Sequence, residues 1–155
     1  MAIGQGDILV TPLQMAMALG AVANGGKLYK PHFVEKVLDI EGNVIKSLDP
    51  VVVNDKIVDN QSSIDIVRQG MKQAVDSSSG SARLLQELPV SSAGKTGTAQ
   101  FDAADLKHTH AWFEAFAPYD NPEIAIIVLV EGGGDGFDAA EPVAKDIMKY
   151  YFENK

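Results

Sequence analysis

The chain contains no cysteine. That excludes disulfides and thiolate metal sites, and it is compatible with any redox compartment. A run of positive charge is also missing. The 13 Lys and Arg residues are scattered among 21 Asp and Glu, giving a formal net charge of −8. An acidic surface repels phosphate backbones, so nucleic acid is not an expected partner. No stretch reaches the roughly 18–20 apolar residues that span a bilayer; the longest strongly apolar run, Ile124 to Val130, is the length of a strand. Residues Met1 to Gly6 have neither a basic n-region nor an apolar h-region, so they do not read as a signal peptide. Met1 stands almost directly before structured-looking sequence, and the expectation is that it is not the natural start. What is present is ordinary globular composition: 155 residues, 46% hydrophobic and 22% charged, enough for one domain but not comfortably for two.

Thr11-Pro12-Leu13-Gln14 predicts a helix start, with Thr11 as cap, Pro12 at the first helical position and Gln14 completing a capping box. The following run, Met15 to Ala23, is apolar on every side, the pattern of a helix buried all round. Asn24-Gly25-Gly26 ends it. Segments 33–40 and 44–48 flank Glu41-Gly42-Asn43 as a predicted hairpin, and residues 49–60 read as irregular surface chain. Ser62 or Ser63 is expected to cap a second helix whose buried stripe is Ile64, Val67, Met71 and Val75. A Ser/Gly break at 76–81 precedes a short helical turn within 82–88. Lys95 to Phe101, Ala111 to Ala117 and Ile124 to Val130 are three predicted strands, and Pro142 opens a last helix to about Phe152. Helices and a hairpin followed by an antiparallel meander make the class α+β, an antiparallel sheet packed with helices.

Ala93-Gly94-Lys95-Thr96-Gly97-Thr98-Ala99-Gln100 carries the chemistry. On a strand, period-2 alternation puts the Thr96 and Thr98 hydroxyls on one face, where both can bind a carboxylate. Gly97 has no side chain, so a substrate backbone can approach and pair with the strand. Lys95 adds a fixed positive charge, although strand parity points it away from the two threonines. The rivals are weaker. Gly94-Lys95-Thr96 imitates the end of a phosphate-binding loop, but position 89, where that loop needs Gly, is Pro. Gly132 to Gly136 is not a dinucleotide fingerprint, because Phe137 occupies the third glycine's place. Asp102, Asp105, His108 and His110 have ligand chemistry but read as a solvated polar loop, so no metal is expected. Trp112, Phe113 and Phe116 are expected to pack in a core rather than stack on carbohydrate.

Lys95-Thr96-Gly97 resembles the third signature of serine acyl-transfer enzymes, the penicillin-binding proteins and serine β-lactamases. Ordered blocks around it extend the resemblance. Gly4-Gln5-Gly6, Val10 to Ala16, Ala23 to Gly26 and Pro31-His32 resemble the run after the second active-site motif of class B penicillin-binding proteins. His110 to Phe113, Phe116 to Pro118 and Pro122 to Ile126 resemble the strands after the third. Gly132 to Gly136 with Ala139-Ala140-Glu141-Pro142 resembles the link into the terminal helix, although Glu141 interrupts the more usual Ala-Ala-Pro. Gly-Gln-Gly points to the elongation-type branch, similar to penicillin-binding protein 2.

The resemblance implies a partial penicillin-binding, β-lactamase-like transpeptidase fold, with residues 1–155 forming the C-terminal portion of one such domain and the nucleophile-bearing part absent. Ser92-Ala93-Gly94-Lys95 spells the nucleophile motif, but one Lys cannot hold both posts. Tyr119-Asp120-Asn121 spells a variant second motif in the wrong order. By resemblance Lys95 supports proton transfer, Thr96, Gly97 and Thr98 bind substrate, and the Thr98 N–H donates to the oxyanion hole. The implied parent is a peptidoglycan D,D-transpeptidase that acts on D-Ala-D-Ala stem peptides, binds β-lactams, needs no cofactor and works with the cell-wall elongation machinery. Its expected setting is the outer face of a bacterial cytoplasmic membrane, with the anchor in the missing N-terminal part. This chain alone is expected to be inactive. The alternative reading is a non-catalytic binding or scaffold module that uses an exposed edge strand.

Overall fold

The three strands predicted in the C-terminal third form one sheet, and that sheet organises the molecule. The structure, a computed structural model, describes residues 8–101 and 108–155. Strands β5 (Ala93–Gln100), β6 (Thr109–Ala117) and β7 (Ile124–Val130) pair antiparallel in the order β5-β6-β7. Thr96 stands opposite Phe113 and Gly97 opposite Trp112; on the far side of β6, Phe113 stands opposite Val128. The fold is the expected α+β class, and each predicted strand lies within or close to an observed one.

Alternation along β6 splits the core between the two sheet faces. On one face Ala93 and Phe116 pack with Leu19, Ala23 and Met71, from helices α1 (Pro12–Ala23) and α2 (Gln61–Asp76). On the other, Ala111, Phe113 and Ala115 pack against Leu85 of a 3-10 turn (Arg83–Glu87) and against Ala144 and Met148 of helix α4 (Glu141–Glu153). Phe113 and Phe116 are both fully buried, as core packing requires, whereas Trp112 is half-buried. A single-turn helix, α3 (Gly136–Ala139), which the sequence did not announce, precedes α4.

Helix α1 begins as its residues dictate. The Thr11 hydroxyl accepts from Gln14 N–H, and the Gln14 side chain accepts from Thr11 N–H at 2.8 Å. It ends at Asn24, and Gly25 (φ 86°) and Gly26 (φ 119°) take the left-handed turn. The helix is not buried all round, however. Only Leu19, Ala21 and Ala23 are buried, and Leu13 is 52% exposed. Among the described residues nothing covers its far side.

Three further expectations need correction. Asn60, not Ser62 or Ser63, caps α2, its carboxamide oxygen accepting from Ser62 N–H at 3.1 Å; Asn is as good a cap as Ser, and it stands one residue before the helix. Val67 leaves the predicted stripe and is exposed, because the core touches α2 through Ile64, Met71 and Val75. Residues 49–60 are not wholly irregular: β4 (Val52–Asn54) pairs antiparallel with β1 (Leu28–Tyr29). A two-residue strand followed by Lys30-Pro31 is too short for a period-2 signal.

The predicted hairpin forms, with shorter strands, from β2 (Lys36–Leu38) and β3 (Val44–Ser47). Gly42 (φ 88°) makes its turn, and the Asp39 carboxylate accepts from Glu41 N–H, Asn43 N–H and Asn43 Nδ2. Those bonds hold the Asp39 carboxyl below its ordinary range, the Asn43 side-chain bond most of all.

Candidate functional site

Strand β5 is an edge strand. It pairs with β6 on one side, and no strand among the described residues pairs with the other. The Lys95-Thr96-Gly97-Thr98 run lies along this edge. The expected parity holds: Lys95 and Gly97 share the sheet face that α1 and α2 cover, and Thr96 and Thr98 share the opposite one. The motif therefore straddles the edge rather than occupying one face.

On the helical side a groove of about 790 Å³ opens between α2 and the sheet. Val67, Gly70 and Met71 of α2 form its apolar wall, Ser79 and Gly80 close one end, and Lys95 with Glu114 forms its charged floor. Lys95 is exposed, and its Nζ donates to the Thr96 carbonyl. Glu114 faces Lys95 directly across the β5–β6 ladder. Burial pushes the Glu114 carboxyl up, and the nearby Lys95 charge pulls it partly back.

On the other side the Thr98 hydroxyl donates to Asp135 Oδ1 at 3.3 Å. Gly97 stands in close quarters: a Cβ there would lie 3.0 Å from Trp112 Cβ. Gly136 is tighter still, since a Cβ on it would lie 2.2 Å from the Trp112 carbonyl oxygen and 2.6 Å from that of Gly97. Only glycine at 136 lets the chain entering α3 lie against the backbones of β5 and β6.

The look-alike motifs do not converge here. Ser92 is 2% exposed, and its hydroxyl has no hydrogen-bond partner among the described residues. A nucleophile held there has no route to a substrate. Tyr119 plays a structural part, its carbonyl accepting from Arg68 Nη2 at 2.6 Å. Arg68 also donates to the Ala23 carbonyl and lies over the Phe116 and Tyr119 rings, with 5.3 Å and 5.2 Å from Cζ to the ring centroids. It joins α1, α2 and the end of β6 in one contact, and nothing in its sequence neighbourhood announced that.

Of the residues considered as metal ligands, Asp102 and Asp105 lie outside the described residues. His108 and His110 stack on Phe101, His110 at 4.2 Å between ring centroids. Among the described residues no group of three or more His, Asp or Glu side chains is arranged to hold a metal ion. No helix among them is long and apolar enough to cross a membrane. Gly4-Gln5-Gly6 also lies outside the described residues.

Two acidic residues at the site, Glu114 and Asp135, escaped the sequence reading. Glu114 reaches the site only through the β5–β6 register, which puts it opposite Lys95; Asp135 was hidden inside a glycine-rich loop.

Comparison with known proteins gives the arrangement a context. A family model described as penicillin binding protein transpeptidase domain matches residues 1–149. The peptidoglycan D,D-transpeptidase MrdA of Haemophilus influenzae is 35% identical over 99% of this chain and 25% of its own length. Among solved structures, penicillin-binding protein 2 of Pseudomonas aeruginosa is 34% identical, with a TM-score of 0.77 over 96% of this chain and 32% of that one. Penicillin-binding protein A of Mycobacterium tuberculosis, solved as an imipenem acyl-enzyme complex, is 28% identical, with a TM-score of 0.80 over 97% and 33%. The chain spans about a quarter of the length of the curated relative.

Proposed function

The chain belongs to the penicillin-binding protein transpeptidase domain family, and on that premise we propose that it forms the substrate-carboxylate side of a D,D-transpeptidase active site whose nucleophile lies elsewhere in the parent protein. The observation that carries this reading is the edge position of β5, with Thr96 and Thr98 on one face and, beside them, a strand edge that no strand among the described residues pairs with.

The roles follow from chemistry. A peptide laid along the outer edge of β5 gains backbone hydrogen bonds, and Gly97 lets it approach. The Thr96 and Thr98 hydroxyls bind its terminal carboxylate. Lys95, on the other face of the same strand, adds a positive charge near the carboxylate and, as the family resemblance implies, supports proton transfer. The Thr98 N–H is one oxyanion donor, which stabilises the tetrahedral intermediate formed when a serine attacks the D-Ala-D-Ala bond. The released D-Ala leaves an acyl-enzyme, which the amine of a second stem peptide resolves. β-Lactams enter the same site as mimics of that carboxylate-bearing peptide. In this reading the parent acts at the outer face of a bacterial cytoplasmic membrane, within the elongation machinery and on the penicillin-binding protein 2 branch, and needs no cofactor or metal.

Intact-mass spectrometry after incubation with benzylpenicillin tests it. The 155-residue chain alone should remain unmodified. The full-length parent should gain one penicilloyl group, on a serine outside residues 1–155. A stoichiometric adduct on the chain alone, or none on the parent, overturns the proposal.

A further inference from the structure

The Thr98 hydroxyl, one of the two placed to bind a ligand carboxylate, already donates to a carboxylate of the chain itself, Asp135 Oδ1, at 3.3 Å. A hydroxyl carries a single proton and can give it to only one acceptor at a time. A bound ligand carboxylate accepts only, so it and Asp135 compete for the same donor.

The contact is built into the fold rather than a chance meeting of surface groups. Asp135 stands just before α3, where an aspartate ordinarily turns back to cap the helix, yet its side chain makes no capping bond. The loop that carries it is pinned to the sheet on both sides. Gly132 N–H donates to His110 Nδ1 at 3.1 Å, Gly134 N–H donates to the Thr109 carbonyl at 3.2 Å, and the Thr109 hydroxyl donates to the Gly134 carbonyl at 3.0 Å. Immediately after Asp135, Gly136 lies so close to the Gly97–Trp112 pair that no side chain fits between them. With its neighbours fixed in this way, the Asp135 backbone stays beside β5, within reach of Thr98.

We propose that Asp135 is a specificity-determining residue: a built-in carboxylate that occupies the Thr98 hydroxyl and that a ligand carboxylate must displace. This rests on reading β5 as the carboxylate-binding strand. The charge on Asp135 repels an incoming anion as well as competing for the donor, and because both residues are exposed that repulsion is moderate and screened by salt. The site therefore discriminates less in favour of free carboxylates over their amides than its threonines alone would.

NMR titration of the 155-residue chain tests this, using N-acetyl-D-Ala-D-Ala and its C-terminal amide as probes. The D135N variant keeps the shape of the side chain and removes its charge; D135S is a second variant that removes both charge and reach. Both are expected to bind the free acid about five- to tenfold more tightly than the unaltered chain, with the amide gaining much less and the gap narrowing at high salt. Chemical-shift changes should centre on Thr96 and Thr98. Equal affinity for the free acid in all three chains leaves the carboxylate reading of β5 standing and overturns the role of Asp135. If Thr96 and Thr98 respond to the free acid in none of them, the reading of β5 and the proposal both fall.

Discussion

Lys95 and Glu114 stand directly opposite each other across the β5–β6 ladder and together form the charged floor of the groove beneath α2. Glu114 makes the stability of this region depend on pH. Burial raises the Glu114 carboxyl above its usual range, and Lys95 offsets part of the rise. The folded chain thus holds a proton here more tightly than the unfolded chain, so stability falls as pH rises through the raised range. Replacing Lys95 by Met removes the offset and should cost about 1 kcal/mol at neutral pH and less in acid. Adding E114Q should remove most of that cost. Urea unfolding of the two single variants and the double variant at pH 5 and 7.5 measures the coupling; additive effects would mean that the pair does not interact.

Glu141 is fully buried at the start of α4, where its Oε1 accepts from Leu84 N–H at 2.8 Å and its Oε2 has no partner among the described residues. Burial raises its carboxyl, against the opposing effects of the Leu84 bond and the Arg83 charge. Its contribution to stability therefore also declines as pH rises through the raised range. E141Q should keep the Leu84 bond and flatten the dependence. E141A should lose about 2–3 kcal/mol at any pH, because it leaves the Leu84 N–H without its acceptor and opens a cavity. Thermal unfolding across pH 4 to 8 separates the two outcomes.

Arg68 satisfies two backbone carbonyls, those of Ala23 and Tyr119, which lie 45 and 51 residues away in sequence. R68M should destabilise the chain by about 2–4 kcal/mol, since both carbonyls lose a charged donor. R68K should recover only part of this, because an ammonium has no planar fork. Denaturant unfolding gives the ranking; equal stability for the two variants would show that the fork is unimportant.

Gly136 should tolerate no side chain. A Cβ 2.2 Å from the Trp112 oxygen forces the loop off the sheet, so G136A is expected to cost about 1–3 kcal/mol. It should also break the Thr98–Asp135 bond. A calorimetric melt reads the first effect, and the Thr98 NMR signals read the second.

The parts of the fold that were legible in sequence are those set by local chemistry. Thr11, Pro12 and Gln14 specify a helix start wherever they fall, and Ile124 to Val130 can hardly be anything but a strand. The short β1–β4 pairing was not legible, because neither strand is long enough to show a period. At the site, alternation alone separated Lys95 from Thr96 and Thr98. The acidic neighbours depend on tertiary contacts: Glu114 on the β5–β6 register, and Asp135 on a loop held down by Gly136. Val67 failed as a core residue for the same kind of reason, since a periodic stripe marks a helix face without saying how much of it the sheet reaches.

The two small ladders, β1–β4 and β2–β3, are made of short strands whose residues are almost all exposed. A pair of strands without a packed face adds little independent stability. Their amide hydrogens should therefore exchange with solvent through local opening, at rates unrelated to those of β5, β6 and β7, whose protection reports the opening of the whole core. The molecule thus has two tiers of cooperativity, and a ligand bound along β5 would slow exchange in the large sheet while leaving the hairpin untouched.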